Sequence, residues 1–492
     1  MKNTLSQFQV SKGAEQLKKP LNLVLLILFG VFFSLIISKV GIVAGLGFLM
    51  LPFIFYFLYL LFTYPKLGIY STIFMAFMAN GIARYISDAP IGLAVDGILV
   101  LTFIALFVKK QKIPWQEANN GLTMAAVIWM GYNVLEIFNP EARSFEAWFY
   151  AMRGVSLYMF LAVPLTFILL REKKDLELYL HLWLILSMIG SINGLKQNII
   201  GVDSFEQAWL DAGAAKQHIL FGKLRVFSFY SDAGQFGASQ AHTLVLATIL
   251  ALQSGLSFKR KVFYYTAALL SLIGMFISGT RGAMAVPAIG FMTYLFMSKN
   301  FKVFGGGILL GGLIFYLLKF TYIGQNIYAI NRMRTALDPN DASLLVRLEN
   351  QKKLANYLAS RPFGGGVGSA GNWGLRFSPN SFLAQTPTDS WFVRIWAEEG
   401  VIGLTLHLII LFYIAIRGGM LLWNLPDKNL RQQFLAIHAG TLGIYMASYG
   451  NGVLGQMPTG ILLYIGWALM FNSKKFVNQN IDSMSIKALN QK

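Results

Sequence analysis

Apolar residues run along this chain in long unbroken blocks, not in the alternating or striped patterns of a soluble core. Blocks of roughly 17–22 residues match the ~30 Å hydrocarbon layer of a bilayer. They begin near residues 21, 41, 67, 91, 120, 150, 177, 237, 262, 282, 302, 400, 432 and 456. Most of the polar links between them are short. Two are long, over approximately 197–236 and 321–399, and loops of that length usually carry function. Within the second, SLLVRLENQKKLANYLA has apolar residues at helical spacing and predicts a short helix. The pattern predicts an all-α polytopic integral membrane protein with about 12–14 transmembrane helices and two long periplasmic loops. An N-tail over 1–20 and a C-tail over 473–492 flank a transmembrane domain over 21–472.

Composition sharpens this picture. The chain has 492 residues, 55% of them hydrophobic and 13% charged, against about 25% charged in soluble domains. The mean hydropathy is +0.55. The first apolar block is followed by no small-residue cleavage site, so it is read as a span and not as a leader. Basic clusters at Lys18/Lys19, Lys109/Lys110/Lys112, Arg171/Lys173/Lys174, Lys259/Arg260/Lys261, Lys299/Lys302, Arg417/Lys428/Arg431 and Lys474/Lys475 fall on one side if all fourteen spans are real. That side is expected to be cytoplasmic, with both termini inside. The net charge of +19 then reflects topology, and no nucleic-acid partner is implied. With no cysteine and five scattered histidines, no thiolate or histidine metal centre and no cofactor are expected.

Candidate chemistry concentrates on the outer side. Arg281 sits in SGTRGAMA, a turn so short that its guanidinium lies at or just inside the membrane boundary. Charges there line cavities or bind anions, and snorkelling to headgroups is the plainer alternative. Arg225, in KLRVFSFYSDAGQFGASQA, and Arg347 are, from spacing alone, better read as solvated loop cations. Arg361 precedes the run Gly364–Gly368, which lacks the Lys-Ser/Thr of a P-loop; a flexible turn returning the chain to the membrane explains it better. In PTDSWFVRIWAEEGVIGL, Thr388 or Asp389 suits a helix N-cap, and Arg394 and Glu398 stand at i,i+4, where they can pair. For Asp389, capping and catalysis weigh evenly.

Taken together, these motifs resemble the O-antigen ligase and O-antigen polymerase superfamily of bacterial membrane glycosyltransferases. That family's signature is His, then Asn, Ser or Gln, nine residues, and Gly-x-x-Gly. Here it reads Asp389-Ser390, nine residues, and Gly400-Val401-Ile402-Gly403. The family's Ser-x-Arg-Gly turn resembles Ser278–Gly282, its outer Arg segment resembles Arg225–Phe229, and its Arg, Pro and Gly-x-Gly pattern resembles Arg347, Pro362 and Gly366–Gly368. The family histidine is replaced by Asp389, which favours a polymerase over a ligase.

The resemblance implies transfer of a sugar chain from an undecaprenyl-pyrophosphate-linked donor to the hydroxyl of an acceptor glycan or lipid-linked glycan, at the outer face of the bacterial inner membrane. Arg281 and Arg225 would clamp the pyrophosphate, because guanidinium binds phosphate oxygens bidentately. Asp389 would take the acceptor's proton, with Arg347, Arg361 and Ser390 contacting substrate. Membrane lipids and polysaccharide assembly proteins are the further partners implied. A lipid-linked oligosaccharide flippase is the competing class, and a noncatalytic partner in polysaccharide export is a third.

Overall fold

The computed structural model describes residues 42–86, 90–109, 113–220, 222–326, 328–335 and 342–477, with isolated positions 20, 24, 28–32, 34 and 38. The tail carrying Lys18 and Lys19, most of the apolar block from residue 21, Lys110, Lys112 and the chain beyond 477 lie outside the described residues. Two units are separated between Tyr64 and Pro65. In the first, helix α1 (Ile42–Thr63) is apolar on all faces and contains Pro52.

The second unit holds the remaining helices: α2 (Lys66–Tyr85), α3 (Leu93–Val108), α4 (Gly121–Leu135), α5 (Phe145–Met152), α6 (Tyr158–Leu169), α7 (Lys173–Ile199), α8 (Ala233–Ala251), α9 (Phe258–Ile277), α10 (Ala285–Met297), α11 (Phe301–Phe320), α12 (Ala342–Leu358), α13 (Gly371–Phe377), α14 (Trp391–Trp423), α15 (Lys428–Ala447) and α16 (Thr459–Phe471). Among the described residues, five segments are long and apolar enough to cross a membrane by length and composition: 121–138, 145–169, 173–199, 258–277 and 391–423. Four shorter apolar helices accompany them. The protein is an all-α polytopic membrane protein, as its hydropathy predicts.

Helix α8 forms the centre. Nearly all its residues are buried, because it packs against α7, α9, α10 and α15 together. Its first half is rich in small residues, including Gly234, Gly237, Ala238, Ser239 and Ala241, which let neighbouring backbones approach closely. Gln240, buried there, is bonded on both sides: Ser191 donates to its Oε1 (2.8 Å) and its Nε2 donates to the Tyr230 hydroxyl (3.0 Å). In a membrane interior such satisfaction is needed, since no water is at hand.

Several helices start earlier than hydropathy places them. The block expected near 150 begins at Phe145, capped by Ser144. The one expected near 237 begins at Ala233, capped by Asp232, whose Oδ1 accepts from Gln235 N (2.9 Å). The block expected near 400 begins at Trp391, so the second long segment ends at residue 390. Polar residues near each start, Glu146, Gln235 and the group Arg394, Glu398 and Glu399, dilute the apolar window, while a side-chain cap fixes where the helix begins.

The bundle has two unlike ends. At one, the basic clusters meet acids and carbonyls: Lys66 pairs with Asp175 (2.8 Å), Arg171 and Lys475 both reach Glu117, Arg260 faces Glu177 (3.9 Å), and Arg431 donates to Met297 O (2.5 Å). At the other end lie the two long segments. The first, between α7 and α8, contains helices Ser204–Trp209 and Ala215–His218 and a small antiparallel pair, Ile219–Leu220 with Lys223–Leu224.

Candidate functional site

The start of α14 settles which residue caps it. Ser390, not Thr388 or Asp389, is the N-cap: its Oγ accepts from Val393 N (3.4 Å) and donates to Ser448 O (3.2 Å). Trp391 N also donates to Ser448 O (2.9 Å). Asp389 is thereby released from capping, and its Oδ2 stands 3.2 Å from Arg347 Nε. Its side chain is 52% exposed. Arg394 does pair with Glu398 at i,i+4 (3.1 Å), and Glu398 Oε1 also accepts from Ala370 N (3.3 Å).

Behind this start the helix bends at Gly400, with φ 68° and ψ −169°, a region essentially restricted to glycine. The glycine-rich run docks into the bend and is not a flexible turn. Gly365 N donates to Ala397 O (3.0 Å) and Ile402 N to Pro362 O (3.2 Å). Gly364, also at positive φ, leaves no room for a Cβ, which would fall 2.4 Å from Gly400 N. Gly400→Ala would place its Cβ 2.0 Å from Pro362 O. Backbone strain alone should cost ~1–3 kcal/mol, so this variant should show a clearly lowered thermal unfolding midpoint in detergent; an unchanged midpoint would mean the dock does not hold.

Two further arginines lie in the segment before α8 and in the turn after α9. Gly237 leaves a gap on α8 that the Ser278 side chain fills, since a Cβ there would lie 2.2 Å from Ser278 Oγ. This seats the Ser278–Arg281 turn on α8. Thr280 Oγ1 donates to Ala233 O (2.9 Å) and accepts from Arg225 Nη2 (3.1 Å), while Arg225 Nη1 donates to Gln217 O (3.1 Å). Arg225 thus stands beside Arg281, which is half-buried at the head of the 3₁₀ turn Arg281–Met284.

The turn Ser448–Gly452 joins the two halves. A Cβ on Gly282 would lie 4.0 Å from Gly450 O, and one on Gly450 would lie 3.5 Å from Arg347 Nη1. The structure therefore brings Arg347, Asp389 and Ser390 to this turn, sets the backbone next to Arg281 against it, and ties Arg225 to Thr280 beside Arg281. Arg361 is not among them. It pairs with Glu141 (3.2 Å) and lies 4.2 Å over the Tyr357 ring. Among the described residues no group of three or more His, Asp or Glu is placed to hold a metal ion.

One residue of this region escaped the sequence reading. Arg84, at the end of α2, lies over both the Trp209 and Phe227 rings (4.4 and 4.5 Å) and donates to Ser228 O (2.5 Å) and Tyr230 O. Ser228 has φ 51°, and Gln197 Oε1 accepts from its N (2.8 Å). Arg84 so fixes the loop that delivers Arg225. A cation near the end of an apolar run was the available signal. His218 braces the same loop: Nδ1 bonds Ala214 O (2.9 Å) and Nε2 accepts from Ala233 N (3.3 Å). Burial pushes its pKa below the ordinary histidine value, in keeping with the neutral ring those bonds require.

What fold and site define is a multi-pass membrane protein with a cationic, carboxylate-bearing cluster at one end of its bundle. Residues 266–408 match the family model described as O-antigen ligase. That range contains Arg281, Arg347, Arg361 and Asp389 but not Arg225. A curated relative, an O-antigen polymerase of Salmonella muenchen, is 24% identical over 348 residues, covering 65% of this chain and 81% of the relative. Both matches support the O-antigen ligase and O-antigen polymerase superfamily, the one the motifs resemble.

Proposed function

We propose that this protein polymerises lipid-linked oligosaccharide repeat units into an O-antigen, capsular or exopolysaccharide chain. The donor is a glycan on undecaprenyl pyrophosphate, and the reaction takes place at the periplasmic face of the inner membrane. The observation that supports this is that the Arg347–Asp389 pair and the Thr280–Arg281 segment that holds Arg225 both flank the Ser448–Gly452 turn. As the bond from the anomeric carbon to the pyrophosphate breaks, negative charge grows on the leaving group. Guanidinium groups held in place by Thr280, Gln217 and the α8 seat need little reorganisation to meet it. The Arg347 pair orients Asp389 through Oδ2, leaving the second oxygen for the acceptor hydroxyl's proton. The acceptor oxygen then bonds the anomeric carbon as the pyrophosphate leaves.

The similarity to an O-antigen polymerase favours a polymerase, and the match to the O-antigen ligase family leaves ligation to a lipid A-core or other acceptor as the second reading. The test is reconstitution with a purified lipid-linked donor and no other glycan acceptor. Ladders of increasing glycan length are expected from the polymerase. Transfer only after a lipid A-core acceptor is added would establish the ligase, and no transfer with either would remove the enzyme reading.

A further inference from the structure

A second surface, built from aromatic rings and polar groups, lies at the same end of the bundle. Helix α12 connects the two regions. Arg347 sits near its start, beside Asp389, and Tyr357 lies ten residues on, about 15 Å away at 1.5 Å per residue. Tyr357 stacks on Phe382 (centroids 4.6 Å, planes at 21°) and carries the Arg361 guanidinium over its ring. Close by, Tyr150 of α5 stacks with Trp373 (4.8 Å, 17°) and Phe377 (5.9 Å, 13°) of α13. Arg376 lies 5.3 Å from the Phe377 ring. A narrow polar pit joins the groups: Tyr357 lines it, as do Glu141, Arg143, Ser144 and Ser378, the last directly after Phe377. Its volume, about 10 Å³, holds roughly one water molecule, so a ligand would lie across its mouth.

Three near-parallel rings from two distant parts of the chain, half exposed beside a carboxylate, arginines and serine hydroxyls, make a surface of mixed character. A pyranose ring has the matching character, with C–H groups on its faces and hydroxyls around its rim. Aromatic planes take the faces, and the fixed fork of an arginine or the two oxygens of a carboxylate take neighbouring hydroxyls. Lipid would use the rings but leave the polar pit unmatched. A phosphate would use the arginines but not the rings.

We propose that this shelf is a glycan-binding subsite, holding a segment of the polysaccharide a few sugars away from the reacting hydroxyl. The assignment rests on the glycan-transfer reading above and adds to it a place for the chain itself. Arg361, remote from Asp389, acts here, held by Glu141 and Tyr357.

The test uses full-length protein in nanodiscs and, as probe, the oligosaccharide released by mild acid from the wild-type strain's own polymer. Binding is read by tryptophan fluorescence, with Trp373→Phe identifying the reporting ring. Wild type should bind saturably. Phe377→Ala and Arg376→Ala should each raise Kd about tenfold, equivalent to about 1.4 kcal/mol, and shorten the polymer while the rate with the shortest lipid-linked repeat unit is kept. Phe377→Trp, which preserves the stacking plane, should restore both. Arg376 is exposed, so its variant tests the idea without endangering the fold. If wild type polymerises but binds no oligosaccharide, or if both alanine variants keep its Kd and chain length, the shelf is only packing. If wild type transfers no sugar yet binds through Phe377, the transferase reading falls and the subsite stands.

Discussion

Asp389→Asn is expected to slow glycosyl transfer by ~10²–10⁴-fold, the loss typical of a missing general base, with the protein still made and inserted at wild-type level. The structure makes this sharp. Ser390 caps α14, so the substitution does not touch the helix start. The pair that Asp389 makes with Arg347 is half exposed, and such pairs contribute only about 0–1 kcal/mol to stability. A large rate loss with little change in unfolding can then come only from the carboxylate's chemistry. Asp389→His puts back the family's usual residue, and an imidazole can accept the same proton, so partial activity is expected. The readout is polymer made per molecule of protein from a lipid-linked donor. Activity within a few-fold of wild type in the Asn variant would take Asp389 out of the mechanism.

Arg281→Lys should be nearly as damaging. Lysine keeps the charge but offers a single mobile ammonium in place of a planar fork. Loss of one preorganised donor to a developing anion costs ~10²–10³-fold, and Arg281→Ala should cost at least as much. Both variants should insert normally, because the Ser278–Thr280 turn is held on α8 by the Ser278 side chain seated at Gly237 and by the Thr280 hydroxyl. Near-normal transfer by Arg281→Ala would mean that the residue merely anchors lipid headgroups.

The features legible in the sequence were those that local chemistry decides. Apolar blocks gave the spans, because a bilayer imposes a length on each. Arg394 and Glu398 pair as their i,i+4 spacing foretold. The features that stayed hidden depend on partners far along the chain. Whether Ser390 or Asp389 caps α14 is undecidable locally, since both residue types cap well; Arg347, 42 positions away, draws Asp389 aside and Ser448 O receives the Ser390 hydroxyl. The glycine run looked like slack chain, because the Gly400 bend that receives it is invisible until both are folded. Arg84 stays hidden since Trp209 and Phe227, whose rings it lies over, are more than a hundred residues downstream.

The docking of Gly364–Gly365 on the Gly400 bend bears on how a substrate comes and goes. The stretch between α12 and α14 is fastened near its beginning by Gly365 to Ala397 and at its end by Asp389 to Arg347 of α12. Lifting it as a hinged cover would break both fastenings and unseat a conformation only glycine can hold. A lid of that kind is mechanically expensive. The lipid-linked donor proposed above would lie in the plane of the bilayer, and a sideways approach would leave both fastenings intact.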